Sequence, residues 1–283
     1  MNLQAEEKAV VFKGVEKKYT LNRLFGTSEI TAFKDLSFSI DKGGITGLLG
    51  LNGAGKTTIL KLTAGLLFCN AGTVSVFGKS PLSPEAKKEI GFLPELPYFS
   101  PYENALDILK YYGALSGMKE PFISKRAEEV LEITGLAPHK NKKTGQFSKG
   151  MLQRLGIAQA IMHSPRLLIL DEPASGLDPL AIRDIRNIIS DASKKGTTVL
   201  LSSHSISEVE KICSKVIIMK EGRLARTVLR EEWETGGGLE EIFINTVKIP
   251  EKNETVSAEN GTEGSPCGTG EENKTHCASE EKE

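Results

Sequence analysis

Short apolar runs alternate with stretches of helical period along the chain. Ala9–Phe12 and Leu36–Ile40 read as strands, and the polar, glycine-containing stretch Thr20–Glu29 reads as their connection. Ile45–Leu49 is apolar and ends in Gly50, as a strand buried on both faces does. Ile59, Leu60, Leu62, Thr63 and Leu66 recur at helical spacing and predict a helix over Lys56–Leu67. Thr73–Phe77 and Ile90–Leu93 are again strand-like, and from Pro101 to Ser164 the period is helical. Leu167–Leu170 and Thr198–Ser202 return to buried-strand character, with a helix predicted over Leu180–Lys194 between them. Val216–Met219 and the turn Lys220–Gly222 predict a final hairpin. Two strand-bearing regions thus flank a helical insertion. The βαβ alternation predicts an α/β fold, a mostly parallel sheet with helices packed on it.

Composition changes this picture at one end of the chain. Over its 283 residues the net charge is −1, which argues against a strongly basic nucleic-acid binder. Residues 251–283 alone carry −6, from nine Glu and three Lys, and lack Leu, Ile and aromatics. Such a stretch buries too little apolar area to offset its ordering entropy, so a disordered acidic tail is expected over 249–283. The triplets at Asn253, Asn260 and Asn273 are read as composition rather than glycosylation sites, and Cys267 with His276–Cys277 lacks a fourth metal ligand. The first eight residues hold two acids and no apolar core, and no apolar run reaches 18 residues, so neither a secretory signal nor a membrane span is expected. Four scattered cysteines fit a cytosolic chain.

Gly50-Leu51-Asn52-Gly53-Ala54-Gly55-Lys56-Thr57 matches the G-x-x-x-x-G-K-[ST] phosphate loop without a mismatch, after a strand and before a helix. Its glycines admit backbone conformations closed to residues with a Cβ, so successive N–H groups can turn inward on a phosphate. The helix start adds unpaired N–H groups and the positive end of its dipole. Lys56 brings a full charge to the β- and γ-phosphates, the Thr57 hydroxyl suits Mg²⁺, and Thr58 completes the binding set. The plainer reading is a glycine-rich turn with no ligand; the strand–loop–helix context weighs against it.

Leu167-Leu168-Ile169-Leu170-Asp171-Glu172 places two carboxylates at the C-terminal end of a buried strand, where ligands sit in open α/β sheets. Asp171 would hold Mg²⁺, directly or through water. Glu172 points the other way by strand alternation and would orient the attacking water or take its proton. Alone, the pair is equally a strand followed by an acidic cap.

In this order the residues resemble the nucleotide-binding subunit of ATP-binding cassette (ABC) transporters, over about residues 8–245. Phe147-Ser148-Lys149-Gly150-Met151-Leu152-Gln153-Arg154 is similar to the family's signature motif, with Lys and Met in place of Gly and Gln. Ser175-Gly176-Leu177-Asp178 resembles the D-loop, His204 the switch histidine, and Tyr19 the aromatic that stacks on adenine. The resemblance implies a P-loop NTPase core with a small antiparallel β part and an α-helical subdomain inserted at about 96–164. The nucleotide-binding domain would span 1–232 and a short C-terminal helix 233–248. It also implies that Lys56, Glu172 and His204 serve hydrolysis. Ser148, Gly150 and Asp178 would close on ATP held by a second subunit, most simply a second copy of this chain. Read without the family, Ser148 is first a helix N-cap and His204 a polar strand end. The family's usual Gln is here Glu95, which as a carboxylate accepts but does not donate, and which would meet Mg²⁺ or its waters. Leu93-Pro94-Glu95 with Ser148–Met151 resembles the ABC-2 branch, mostly exporters.

The cofactors implied are ATP and Mg²⁺, and the partner implied is an integral membrane permease. That would place the chain in the cytoplasm, peripheral on the inner face of the membrane. Four of the five tyrosines fall in Tyr98–Tyr112 beside Phe99, either as the core of the insertion or as a surface for a helix of the permease. The alternative function is a soluble ABC-type ATPase not tied to a transporter. Such relatives carry coiled coils, zinc cysteines or two cassettes, and this sequence has none of these. A non-catalytic regulator is disfavoured by the intact set Lys56, Asp171, Glu172 and His204.

Overall fold

The computed structural model describes residues 8–23 and 26–248. Two sheets are present. A three-stranded antiparallel sheet has the order β2-β1-β4, from β1 (Lys8–Arg23), β2 (Gly26–Asp41) and β4 (Ala71–Val76). A six-stranded sheet has the order β5-β6-β7-β3-β8-β9. Its strands are β3 (Ile45–Gly50), β5 (Ile90–Leu93), β6 (Leu167–Leu170), β7 (Thr198–Ser202), β8 (Lys215–Lys220) and β9 (Arg223–Leu229). The first five in that order run parallel, and only β9 returns antiparallel, as the hairpin partner of β8.

The continuous apolar runs follow from this arrangement, because each parallel strand is buried on both faces. Alternate residues feed two separate cores. Leu168, Leu170, Val199, Leu201, Val216 and Ile218 enter one core together with the insertion helices α3 (Ala105–Leu115), α4 (Phe122–Ile133) and α5 (Lys149–Ile161). Leu167, Ile169, Leu200, Ile217 and Met219 enter the other, with the antiparallel sheet and helix α1 (Lys56–Thr63). The insertion therefore shares its core with one face of the sheet.

Three expectations are corrected. Thr20–Arg23 and Gly26–Glu29 are strand rather than connection: β1 and β2 pair from Lys8↔Asp41 out to Arg23↔Gly26. The outer half of this pair extends beyond the core, so neither face is apolar and the alternation that marks a strand is missing. Helix α1 stops at Thr63 instead of Leu67. Gly65 there is left-handed (φ 66°) and lies against the Pro81 carbonyl, which ends the helix although Leu66 keeps the apolar period. Beyond the hairpin come two helices, α8 (Arg230–Thr235) and α9 (Leu239–Lys248), in place of one. Short helices α2 (Pro84–Lys87) and α7 (Ile206–Ile212) are added, and α6 (Pro179–Lys194) follows the expected span. The acidic tail expected over 249–283, with its Asn triplets and its Cys and His residues, lies outside the described residues.

Contact between α5 and β5 depends on two glycines. A Cβ on Gly91 would run into the Ala160 carbonyl oxygen, and one on Gly156 into Leu93 and Pro97. Gly91→Ala forces helix and strand apart. It should cost about 1–3 kcal/mol, seen as a fall of several degrees in melting temperature by calorimetry.

Candidate active site

The phosphate loop begins where β3 leaves the sheet. Gly53 (φ 82°) and Gly55 (φ 100°) are left-handed, the conformation the sequence pattern requires. Gly50 serves closeness instead, since a Cβ there would stand 2.6 Å from the Met219 carbonyl oxygen on β8. Gly55 is the N-cap of α1, with no capping side chain and no acid in the first turn, so the helix start is free for an anion. Lys56 is 8% exposed, and its Nζ donates to the Gly50 carbonyl at 2.7 Å and the Leu51 carbonyl at 3.4 Å.

Three adjacent strand ends supply the remaining groups. Asp171, 3% exposed, follows β6 and accepts at Oδ1 from the Thr57 hydroxyl (3.3 Å) and the Ser202 hydroxyl (2.7 Å). Glu172 diverges from Asp171, but not by strand alternation. β6 ends at Leu170, and Glu172 is left-handed (φ 48°), a conformation that costs a residue with a Cβ roughly 1–2 kcal/mol. Two hydrogen bonds hold that turn, from Glu172 N–H to Ser202 Oγ (2.9 Å) and from Ser175 N–H to the Glu172 carbonyl (3.1 Å). Glu172 Oε2 meets His204 Nδ1 at 2.7 Å and accepts the His204 backbone N–H at 3.3 Å. A carboxylate only accepts, so Nδ1 carries the hydrogen and Nε2 is left for another partner.

Lys56, Thr57, Glu172 and His204 line one cleft of about 630 Å³ with Tyr19, Asn52, Gly53, Ala54, Gly55, Thr58 and Glu95, and buried Asp171 stands behind its wall, bonded to Thr57. The Tyr19 hydroxyl bonds Thr58 Oγ1 at 3.0 Å, and Lys17 Nζ stands 5.0 Å over its ring. Leu51 is exposed beside the cleft, in a neighbouring hollow with Asn52 and Gly53. The Thr57 hydroxyl and the Asp171 carboxylate beside it are hard oxygens that suit Mg²⁺ completed by phosphate and water.

Three expected residues stand apart from this cleft. Ser148 caps α5, accepting Met151 N–H at 3.3 Å, and Gly150 packs toward Ala181 and Leu177. Asp178 caps α6, accepting the N–H groups of Leu180 and Ala181 at 3.0 Å each. The structure also adds Ser202, which sequence reading took as plain strand. Its signal was a serine ending an otherwise buried strand two residues before His204. The tyrosines divide: Phe99 is buried with Tyr112 against it, whereas Tyr98 and Tyr102 are 85% and 81% exposed. Among the described residues no helix is long and apolar enough to cross a membrane.

The cap at Asp178 has a direct test. Asp178→Ala should lose about 1 kcal/mol of stability in thermal denaturation, while Asp178→Asn, itself a good cap, should melt close to wild type.

A family model described as "ABC transporter" matches residues 33–175. An ABC transporter ATP-binding protein of Synechocystis is 36% identical over 78% of this chain and 65% of its own length. An ABC transporter ATP-binding protein of Bacillus subtilis is 40% identical over 74% of this chain and 67% of its own. The bacitracin transport ATP-binding protein BcrA of Enterococcus faecalis is 40% identical over 77% and 70%. The match thus spans about two thirds of the length of such relatives. Among solved structures, an ATP-binding subunit of an ABC transporter superposes with TM-score 0.74 at 28% identity, covering 84% of this chain and 99% of that one. A dimeric ATP-binding cassette in a post-hydrolysis state, bound to ADP and Pi, superposes with TM-score 0.71 at 25% identity, covering 78% and 98%. By family match, by relatives and by fold, this chain belongs to the ABC transporter family, among its ATP-binding subunits.

Proposed function

We propose that the chain binds and hydrolyses ATP to drive transport through a separate membrane subunit. The observation that carries this is the convergence of Lys56, Thr57, Glu172 and His204 on one cleft, with Asp171 bonded to Thr57 at its wall. The loop amides, the start of α1 and the Lys56 ammonium bind the triphosphate. Tyr19 stands at the cleft wall to stack on the base. Thr57 and Asp171 would hold Mg²⁺, with Glu95 at the cleft rim to meet its waters; when bound, the ion neutralises phosphate charge. Glu172 orients a water whose oxygen bonds the γ-phosphorus as the bond to the bridging oxygen breaks. The water's proton passes to the Glu172 carboxylate, and ADP and phosphate leave. His204 holds Glu172 through Nδ1 and offers Nε2 to the γ-phosphate.

Ser148, Gly150 and Asp178 cannot serve the cleft of their own chain as they stand. Ser148 heads a helix with no acid in its first turn and with Lys149 beside it, an anion site that is not part of the cleft around Lys56. A second copy closing over the nucleotide supplies what the first lacks, and the dimeric relative supports this reading. Export is favoured by the Leu93-Pro94-Glu95 form, with bacitracin-transport relatives as context. Exposed Leu96, Tyr98 and Tyr102 follow directly on Glu95 and provide the surface for the membrane subunit, which would keep the chain on the cytoplasmic face.

Glu172→Gln should lower phosphate release about 10²–10⁴-fold yet preserve ATP-dependent dimerisation by size-exclusion chromatography, and chelation of Mg²⁺ should stop hydrolysis in the wild type. Turnover near wild type in Glu172→Gln would show that another group handles the water. Tyr98→Glu with Tyr102→Glu should leave ATP affinity intact and reduce recovery with membranes that contain the partner; full recovery would remove these tyrosines from the docking surface.

A further inference from the structure

We infer that Ser202 is a positioning residue of this site, a single buried hydroxyl that sets the Asp171 carboxylate and the Glu172 backbone together. This rests on the reading that the cleft takes magnesium-bound ATP. A serine hydroxyl has one hydrogen and two lone pairs. The Glu172 N–H only donates, so Ser202 Oγ accepts there, at 2.9 Å. The hydroxyl hydrogen is then directed to Asp171 Oδ1 at 2.7 Å. Thr57 donates to that same oxygen, which leaves Oδ2 of Asp171 for a metal ion or its water.

Strand register explains why position 202 can do this. Leu170 pairs with Leu201, and Leu48 with Ser202, so the residue after Leu201 stands beside the residue after Leu170. Ser202 is wholly buried, so bulk water does not replace its hydroxyl. An aliphatic residue would satisfy the burial but leave the Glu172 N–H without its acceptor and Asp171 Oδ1 with only the longer bond from Thr57. Two residues on, His204 grips the Glu172 side chain. The end of β7 thereby fixes the metal-binding acid, the backbone turn that aims the second acid, and that acid's carboxylate.

The experiment uses full-length Ser202→Ala and Ser202→Thr. ATP binding is titrated calorimetrically in Mg²⁺ and in EDTA, and phosphate release is followed against Mg²⁺ concentration. Groups that orient a metal ligand are worth about 10–100-fold in metal affinity or activity. Ser202→Ala should therefore bind ATP in EDTA as wild type does. It should lose most of the affinity gained from magnesium and need about 10–100-fold more Mg²⁺ for its half-maximal rate. Its kcat should fall while KM for ATP at saturating Mg²⁺ changes little. Ser202→Thr keeps the hydroxyl and should recover both properties. If Ser202→Ala fails to fold by circular dichroism, Ser202→Cys, of similar size and a weaker donor, is read in its place with the same expectation. An alanine or cysteine variant with wild-type magnesium dependence and kcat overturns the inference, as does a folded threonine variant that behaves like alanine. If the wild type hydrolyses nothing, the proposed ATPase activity fails while ATP binding by the cleft stays open to test. The magnesium dependence of ATP binding then still decides the role of Ser202.

Discussion

The parallel register of β6, β7 and β3 is the constraint on which the site depends. Each strand ends at the same edge of the sheet, and each hands on to a functional group: the phosphate loop after β3, Asp171 and Glu172 after β6, His204 after β7. Peptide hydrogen bonds hold neighbouring strands about 4.8 Å apart, so three strands bring all of these groups within roughly 10 Å. β7 lies in the middle and reaches both sides, since Ser203 N–H donates to the Leu48 carbonyl on β3 while Ser202 bonds Asp171. Long-range contacts between residues more than 100 positions apart, such as Thr57 with Asp171, follow from this ordering.

Two-faced burial of the sheet has a second consequence. One face carries the phosphate-loop helix and the antiparallel ribbon with Tyr19; the other carries the helical insertion. The two halves of the molecule therefore meet through a single layer of strands. β5 forms the edge of that layer on the insertion side, pressed on α5 through Gly91 and Gly156. Its C-terminal end runs through Glu95, at the cleft, into Tyr98 and Tyr102, on the surface. A short stretch of chain thus joins the cleft to the most exposed aromatics among the described residues.

Much of this was legible in the chain. The buried strands were readable because two-sided burial leaves runs such as Leu167–Leu170 without a polar residue. The phosphate loop was readable because left-handed turns at Gly53 and Gly55 restrict those positions nearly to glycine. The outer ribbon around Tyr19 was not, since a strand exposed on both faces carries no alternation. The end of α1 was not either, because the Pro81 carbonyl that stops it at Gly65 arrives from a distant turn.

Local sequence determined which groups exist: an ammonium after a glycine loop, paired acids after one strand, a histidine after another. Only the tertiary structure decided how they are shared. Strand order put Ser202 rather than another polar residue beside Asp171. A left-handed backbone at Glu172, not strand alternation, turned its carboxylate to His204. Ser148, Gly150 and Asp178 stand outside the cleft with Lys56. Periodicity and turn chemistry act between neighbours a few residues apart, whereas hydrogen bonds between strand ends depend on which strands lie side by side, and no short stretch of chain encodes that.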